Sequence, residues 1–411
     1  MKKLVLLFAA VLLPLLASAQ TKVEIDGIWY NLIVKAKQAE VTSGDTKYSG
    51  SITIPATVTY ESVDYNVTSI GNSAFYYCSS LTNITIPESV TIIGESAFCA
   101  CSSLNAINFP ENSQLTSIRR TAFSSCSNLT DINIPKSVTN IEESAFYNCS
   151  GLTAINIPEK VASIEKHTFQ YCSSLTDINI QEGVKSIGER AFCACSSLTD
   201  INIPESMTNI GYAAFQGCGN LTDINFSKNS QLTSIETLAF SNCSSLIAII
   251  IPEGTTRIGV YAFEDCSSLT TIVLPKSLKN IDIGAFANCQ ELLDVYCYAE
   301  IVSSTNASAF KGSYPEYVTL HVPASALNAY KSTAPWSSFG NIVVHEDEEP
   351  LEKCATPTIN YVDGKVVFAC DTEGTTVKSG TTVNGAGDRN RRNSYPRYQP
   401  HHGQHCHLEN W

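Results

Sequence analysis

Ten cysteines, at positions 78, 101, 126, 149, 172, 195, 218, 243, 266 and 289, recur at intervals of 23 residues, twice stretched to 25. Thiols in that number could pair as disulfides or bind a metal. Neither use fits the spacing well. Equivalent positions in a stack of identical units lie about 4.8 Å apart, and parallel side chains at that distance would have to distort to reach the ~90° S–S torsion. Neither Cys-x-x-Cys pairs nor histidine partners mark a metal site within the repeats. A row of reduced thiols packed as small hydrophobes is the preferred reading, with disulfide bonding as the alternative.

Of the six cysteines outside that row, three lie within or just after the repeats. Cys99 and Cys193 directly follow the repeat phenylalanine, where other units place Tyr76, Ser124, Tyr147, Gln170, Gln216 or Glu264. That position is predicted to be exposed. Four units separate the two, roughly 20 Å at strand spacing, so they cannot bond to each other; chance substitution explains them better than a redox role. Cys297 follows the last full unit and has no evident partner.

The elements that hold the thiols in register can be read from one unit. Leu175, Ile178 and Ile180 follow a Leu-x-x-Ile-x-Ile pattern whose end alternates as a strand does, sending Asp177 and Asn179 to the opposite face. Proline stands next in most units (Pro87, Pro110, Pro135, Pro158, Pro204, Pro252, Pro275) and ends the strand, because it has no N–H for the ladder. Val184 and Ile187 return inward on a second short extended piece, and Ala191, Phe192 and Cys195 form a tight, single-turn segment. A period of this length means stacked coils that bury their apolar faces only against one another.

The full phrase Ile-Gly-x-x-Ala-Phe-x-x-Cys-Ser-x-Leu-Thr-x-Ile-x-Ile-Pro-x-Ser-Val-Thr-x-Ile resembles the BspA-like leucine-rich repeats, a 23-residue class of secreted and cell-surface proteins. The resemblance covers roughly residues 52–344. It implies a leucine-rich repeat solenoid, β-rich with short helical turns, of about ten to eleven coils with N- and C-terminal caps. It also implies protein binding or adhesion and brings no catalytic residue with it. Residues 20–65 resemble the N-terminal hairpin cap, 66–310 the solenoid and 311–345 the closing segment. Such caps keep terminal coils from exposing core and strand edge.

Function in such a stack would be written on the outward strand face. One row reads Thr85, Asn108, Asn133, Asn156, Asn179, Asn202, Asn225, Ile250, Val273; the other reads Asn83, Ala106, Asp131, Ala154, Asp177, Asp200, Asp223, Ala248, Thr271. The candidate ligand-binding face is therefore Asp131, Asn133, Asn156, Asp177, Asn179, Asp200, Asn202, Asp223 and Asn225. Successive aspartates about 5 Å apart repel, a cost that a cation or basic partner would relieve. The plainer reading is a solvated face copied by duplication. Beyond Asn225 the rows turn apolar, either as a sticky end of the surface or as a patch under the closing segment. Two longer units, 109–118 and 226–235, share Asn-Ser-Gln-Leu-Thr-Ser-Ile and should bulge from one edge.

Residues 1–19 read as a signal peptide: Lys2 and Lys3, an apolar run from Leu4 to Leu16, then Ala17-Ser18-Ala19. This predicts a secreted or outer-surface protein, with no transmembrane segment in the mature chain. A net charge of −13 argues against nucleic acid as a partner. The expected ligand is an extracellular protein or glycan, without cofactor or metal. An enzyme is disfavoured, because neither a nucleophile with its base nor a carboxylate pair stands out from the repeats. A structural envelope spacer displaying a C-terminal module is the alternative.

Past residue 345 the pattern changes. Residues 346–353 form an acidic linker, and 354–376 begin a β-module with a hairpin around Asp363-Gly364. Cys354 and Cys370 flank it as a possible disulfide. Residues 377–411 lose apolar periodicity and turn basic, reading as disordered and as an out-of-frame stretch. That reading outweighs a metal-binding tail built on His401, His402, His405, Cys406 and His407.

Overall fold

The computed structural model describes residues 20–345, together with the strands Pro357–Val362 and Lys365–Cys370. The expectations for residues 1–19, the linker, the Cys354–Cys370 pair and the 377–411 tail lie outside the described side chains. Among the described residues the repeats coil into a β-solenoid of parallel ladders. Where the first strands of successive coils ladder, they pair at one repeat's offset, as Ala154 with Asp177, Asp200 with Asp223 and Thr271 with Asp294. The second strand is two residues long and makes its own ladder, Ser163 beside Ser186 beside Asn209.

The third side of the coil contains the cysteine. Here i to i+3 turns follow one another: Ala191 N–H to the Gly188 carbonyl, then Cys195 N–H to that of Phe192. The third residue of each turn is left-handed, as at Arg190 (φ 50°) and Ala194 (φ 59°). The same two places carry positive φ in coil after coil, at Ser96 and Ala100 or Ser144 and Asn148. Left-handed backbone costs a residue with a Cβ about 1–2 kcal/mol. Inter-coil bonds offset that cost, as Phe192 N–H to the Ala214 carbonyl (2.8 Å) and Ala194 N–H to that of Gln216 (2.7 Å).

The core is one continuous apolar column. Phenylalanine rings from Phe75 to Phe310 stack coil upon coil, with centroids 4.8 Å apart at the first pair and 5.5 Å at the last. Planes stay within 15° of parallel, an offset stack. Both ends stop it with tilted rings, Tyr48 on Phe75 at 46° and Trp336 on Phe310 at 60°. On the N-terminal side an antiparallel meander of Gln20–Ile25, Ile28–Ile33 and Gln38–Thr42 passes into the parallel stack through Val63–Ile70. On the C-terminal side Thr319–Val322 and Asn341–Val344 add two more parallel strands, with the short helix Leu327–Ser332 between them. Among the described residues no helix is long and apolar enough to cross a membrane.

Candidate functional site

The thiol row lies inside the coil as free cysteines. Each thiol from Cys101 to Cys289 donates to the carbonyl of the phenylalanine in the preceding coil. The distance runs from 3.0 Å at Cys101 to Phe75 to 3.4 Å at Cys289 to Phe263. Burial pushes the thiols from Cys126 to Cys289 up, Cys172 and Cys289 to about 12, because a thiolate there would lose its water. Cysteine is thus more than a small hydrophobe here: it gives a second donor to a carbonyl that already accepts the turn N–H three residues on. Packing and donor chemistry, not catalysis, account for the row.

Two expectations about the other cysteines are corrected. Cys193 is buried and Cys99 half-buried, because the position after the phenylalanine lies in the turn ladder, where Ser124 and Gln170 are buried as well. Cys297 does have a partner: its sulfur lies 3.1 Å from the Tyr330 hydroxyl, which in turn donates to the Ala299 carbonyl at 3.0 Å. That contact joins positions 33 apart, too far along the chain for the repeat pattern to show.

On the strand face, Asn133, Asn156, Asp177, Asn179, Asp200 and Asn202 are exposed, as is Asp131, while Asp223 and Asn225 are half-buried. Register brings Asn156 beside Asn179, Asp200 beside Asp223 and Asn202 beside Asn225. The face is not one unbroken sheet. Residues 131–134 carry no ladder pairing, and Asp177–Ile180 and Asp200–Ile203 belong to separate two-stranded sheets. The one directly paired like-charge couple, Asp200 and Asp223, turns its charges to local donors. The Thr199 hydroxyl donates to Asp200 at 2.9 Å. The Asp223 carboxyl is raised by burial and by Asp200, against the pull of the Ile224 N–H and the Asn225 side chain. Among the described residues no three His, Cys, Asp or Glu side chains are placed to hold a metal ion. A polar, negatively charged, ridged surface is what remains.

Farther along, the same rows continue into residues that the repeat phrase does not announce. His321 lies 2.8 Å from Asp294 and stacks on Tyr296 with centroids 4.1 Å apart. The two long units fold alike: Ser113 and Ser230 are buried and take the N–H of Leu115 and Leu232 two residues on, at 3.3 and 3.2 Å.

Laddered strands, a phenylalanine spine and capped ends define a leucine-rich repeat β-solenoid. Residues 68–199, 162–293 and 215–330 match the BspA type leucine rich repeat region, in six copies. The chain belongs to that family. It is similar in structure to a leucine rich cell surface protein of Faecalibacterium prausnitzii A2-165, with 29% identity and a TM-score of 0.54, covering 80% of this chain and 96% of that one. A leucine-rich repeat protein of Bacteroides ovatus ATCC 8483 aligns at 26% identity and a TM-score of 0.40, over 79% of this chain and 100% of the other. No curated protein matches the chain.

Proposed function

We propose that this chain is an exported, surface-associated binding protein that engages an extracellular protein or glycan through the strand face from Asp131 to Asn225. The observation that carries the reading is the alternation of buried and exposed residues at Asp177–Ile180 and Asp200–Ile203. The inward residues are spent on the core, while the outward Asp and Asn are exposed and held in register by the ladder. Within each laddered pair such a surface presents acceptors about 4.8 Å apart, and its charge selects basic or hydroxyl-rich partners. The resemblance of residues 1–19 to a signal peptide and the likeness to a cell-surface relative both support an extracytoplasmic site of action.

The test is a pull-down with the full chain against extracellular-matrix and cell-surface extracts, followed by a binding isotherm for whatever is retained. The combined Asp177→Asn, Asp200→Asn and Asp223→Asn variant should weaken saturable binding at least tenfold and flatten its salt dependence. Binding unaffected by the triple change would remove the site. No saturable ligand at all would favour the spacer reading, in which deleting whole repeats shortens reach and leaves display intact.

A further inference from the structure

Outward strand positions ought to meet solvent, and at Asp177 and Asn179 they do. At Thr271–Leu274 all four residues are buried, with Thr271 and Val273 each 4% exposed, and Ala248 in the preceding strand is 4% exposed too. A pleated strand in a single layer turns every second side chain away from the core. Ile250 and Tyr296 beside Val273, and Asp294 beside Thr271, supply part of the cover, and a segment lying across the sheet would complete it. The closing strands Thr319–Val322 and Asn341–Val344 extend the same sheet sideways in register and do not lie across Thr271–Leu274.

The chain itself supplies a candidate. Beyond the last strand, Pro357–Val362 and Lys365–Cys370 form an antiparallel hairpin in which Ile359 faces Phe368 and Tyr361 faces Val366 across the ladder. A lone two-stranded hairpin is marginal in water and gains stability by packing on an apolar surface. The surface within reach is the apolar end of the face, Ile250, Val273 and Tyr296. Asn341–Val344 lies three ladder steps from Thr271–Leu274, about 14 Å. The residues between 345 and 357 can span at most about 36 Å.

We propose that the hairpin Pro357–Cys370 docks across the strand face over Ile250, Val273 and Tyr296, as a built-in cover that leaves only the Asp131–Asn225 stretch open to a ligand. The apolar end of the face is then part of the fold and not a second binding surface.

The full chain carrying p-benzoylphenylalanine in place of half-buried Ile250 tests this by photo-crosslinking and peptide mapping. The expected product is an intramolecular link to the 357–370 peptide at monomer mass; the same probe at Asn202 should give none. Links to a second copy, or only solvent-quenched probe at Ile250, would overturn the proposal. As an independent measurement, Phe368→Asp should raise hydroxyl-radical oxidation of the peptide containing Val273 several-fold and leave the peptide containing Asn179 unchanged. Unchanged oxidation at Val273 would also count against it.

Discussion

The Ser313 hydroxyl donates to the Phe286 carbonyl at 2.5 Å, in the place where nine preceding coils use a cysteine thiol toward the same carbonyl. The chain thus contains its own substitution experiment. What the position requires is a small side chain with one donor, and sulfur is the usual but not the necessary atom. Cys195 donates to Phe169 at 3.2 Å in the middle of the stack. Cys195→Ser should therefore cost less stability than Cys195→Ala, which removes the second donor from a carbonyl that keeps only the Cys172 N–H and leaves a small void, about 1 kcal/mol. Equilibrium urea unfolding of both variants checks the order, and a serine variant less stable than the alanine one would refute it.

Thiol chemistry follows from the same burial. Cys149, Cys195, Cys218 and Cys266 are held far above the ordinary thiol range by loss of water, so the reactive thiolate is scarce at neutral pH. Brief alkylation of the native protein should leave Cys126 to Cys289 unlabelled and confine label to half-buried Cys99 and to Cys78, whose thiol the hydrogen bond with Cys101 lowers to about 7. Denaturation should then expose all the cysteines from 78 to 297 as free thiols. Mass spectrometry reads both results, and missing thiols after denaturation would show disulfides in the ladder.

The interior was the more legible half of this molecule. The Leu, Ile, Phe and Cys letters repeat because every coil solves one packing problem, so phase, register and buried row could all be read from spacing. The left-handed residues could not: Tyr77, Ala100, Asn148 and Ala194 share positive φ without sharing a residue type. Inter-coil hydrogen bonds enforce that conformation, and side-chain preference does not encode it. The buried Cys193 was misplaced for the same reason. On the strand face the identities of Asp and Asn were plain, but the separation of Asp177–Ile180 from Asp200–Ile203 into different sheets has no counterpart in the letters.

The phenylalanine spine sets how damage spreads. Phe192 lies between Phe169 and Phe215 at 5.3 and 5.2 Å. Phe192→Ala removes two stacked contacts and opens a cavity the neighbouring coils cannot close, an expected loss of about 3–5 kcal/mol. In a solenoid, stability is a sum of nearest-neighbour terms, so the loss should appear as reduced amide protection near coils 146–240 with the N-terminal meander spared. Hydrogen exchange resolved by peptide decides; uniform loss along the whole chain would contradict the nearest-neighbour picture.

Asp223 provides a pH-dependent test of the face. Burial raises its carboxyl in the folded chain, so the folded state holds that proton more tightly than the unfolded state does. The sign follows from linkage: this group favours folding below its unfolded range and opposes it once ionised above the raised folded value. Asp223→Asn removes the ionised, half-buried charge and its repulsion with paired Asp200. At pH 7 the variant should be more stable by a few tenths of a kcal/mol, the scale of a cross-strand like-charge pair. The gain should shrink as pH falls through the carboxylate range, where the native aspartate is already neutral. Thermal melts of both proteins at neutral and acid pH measure the difference. A gain that persists unchanged at low pH would mean that Asp223 carries no electrostatic cost, and that its conversion would report on ligand contact alone.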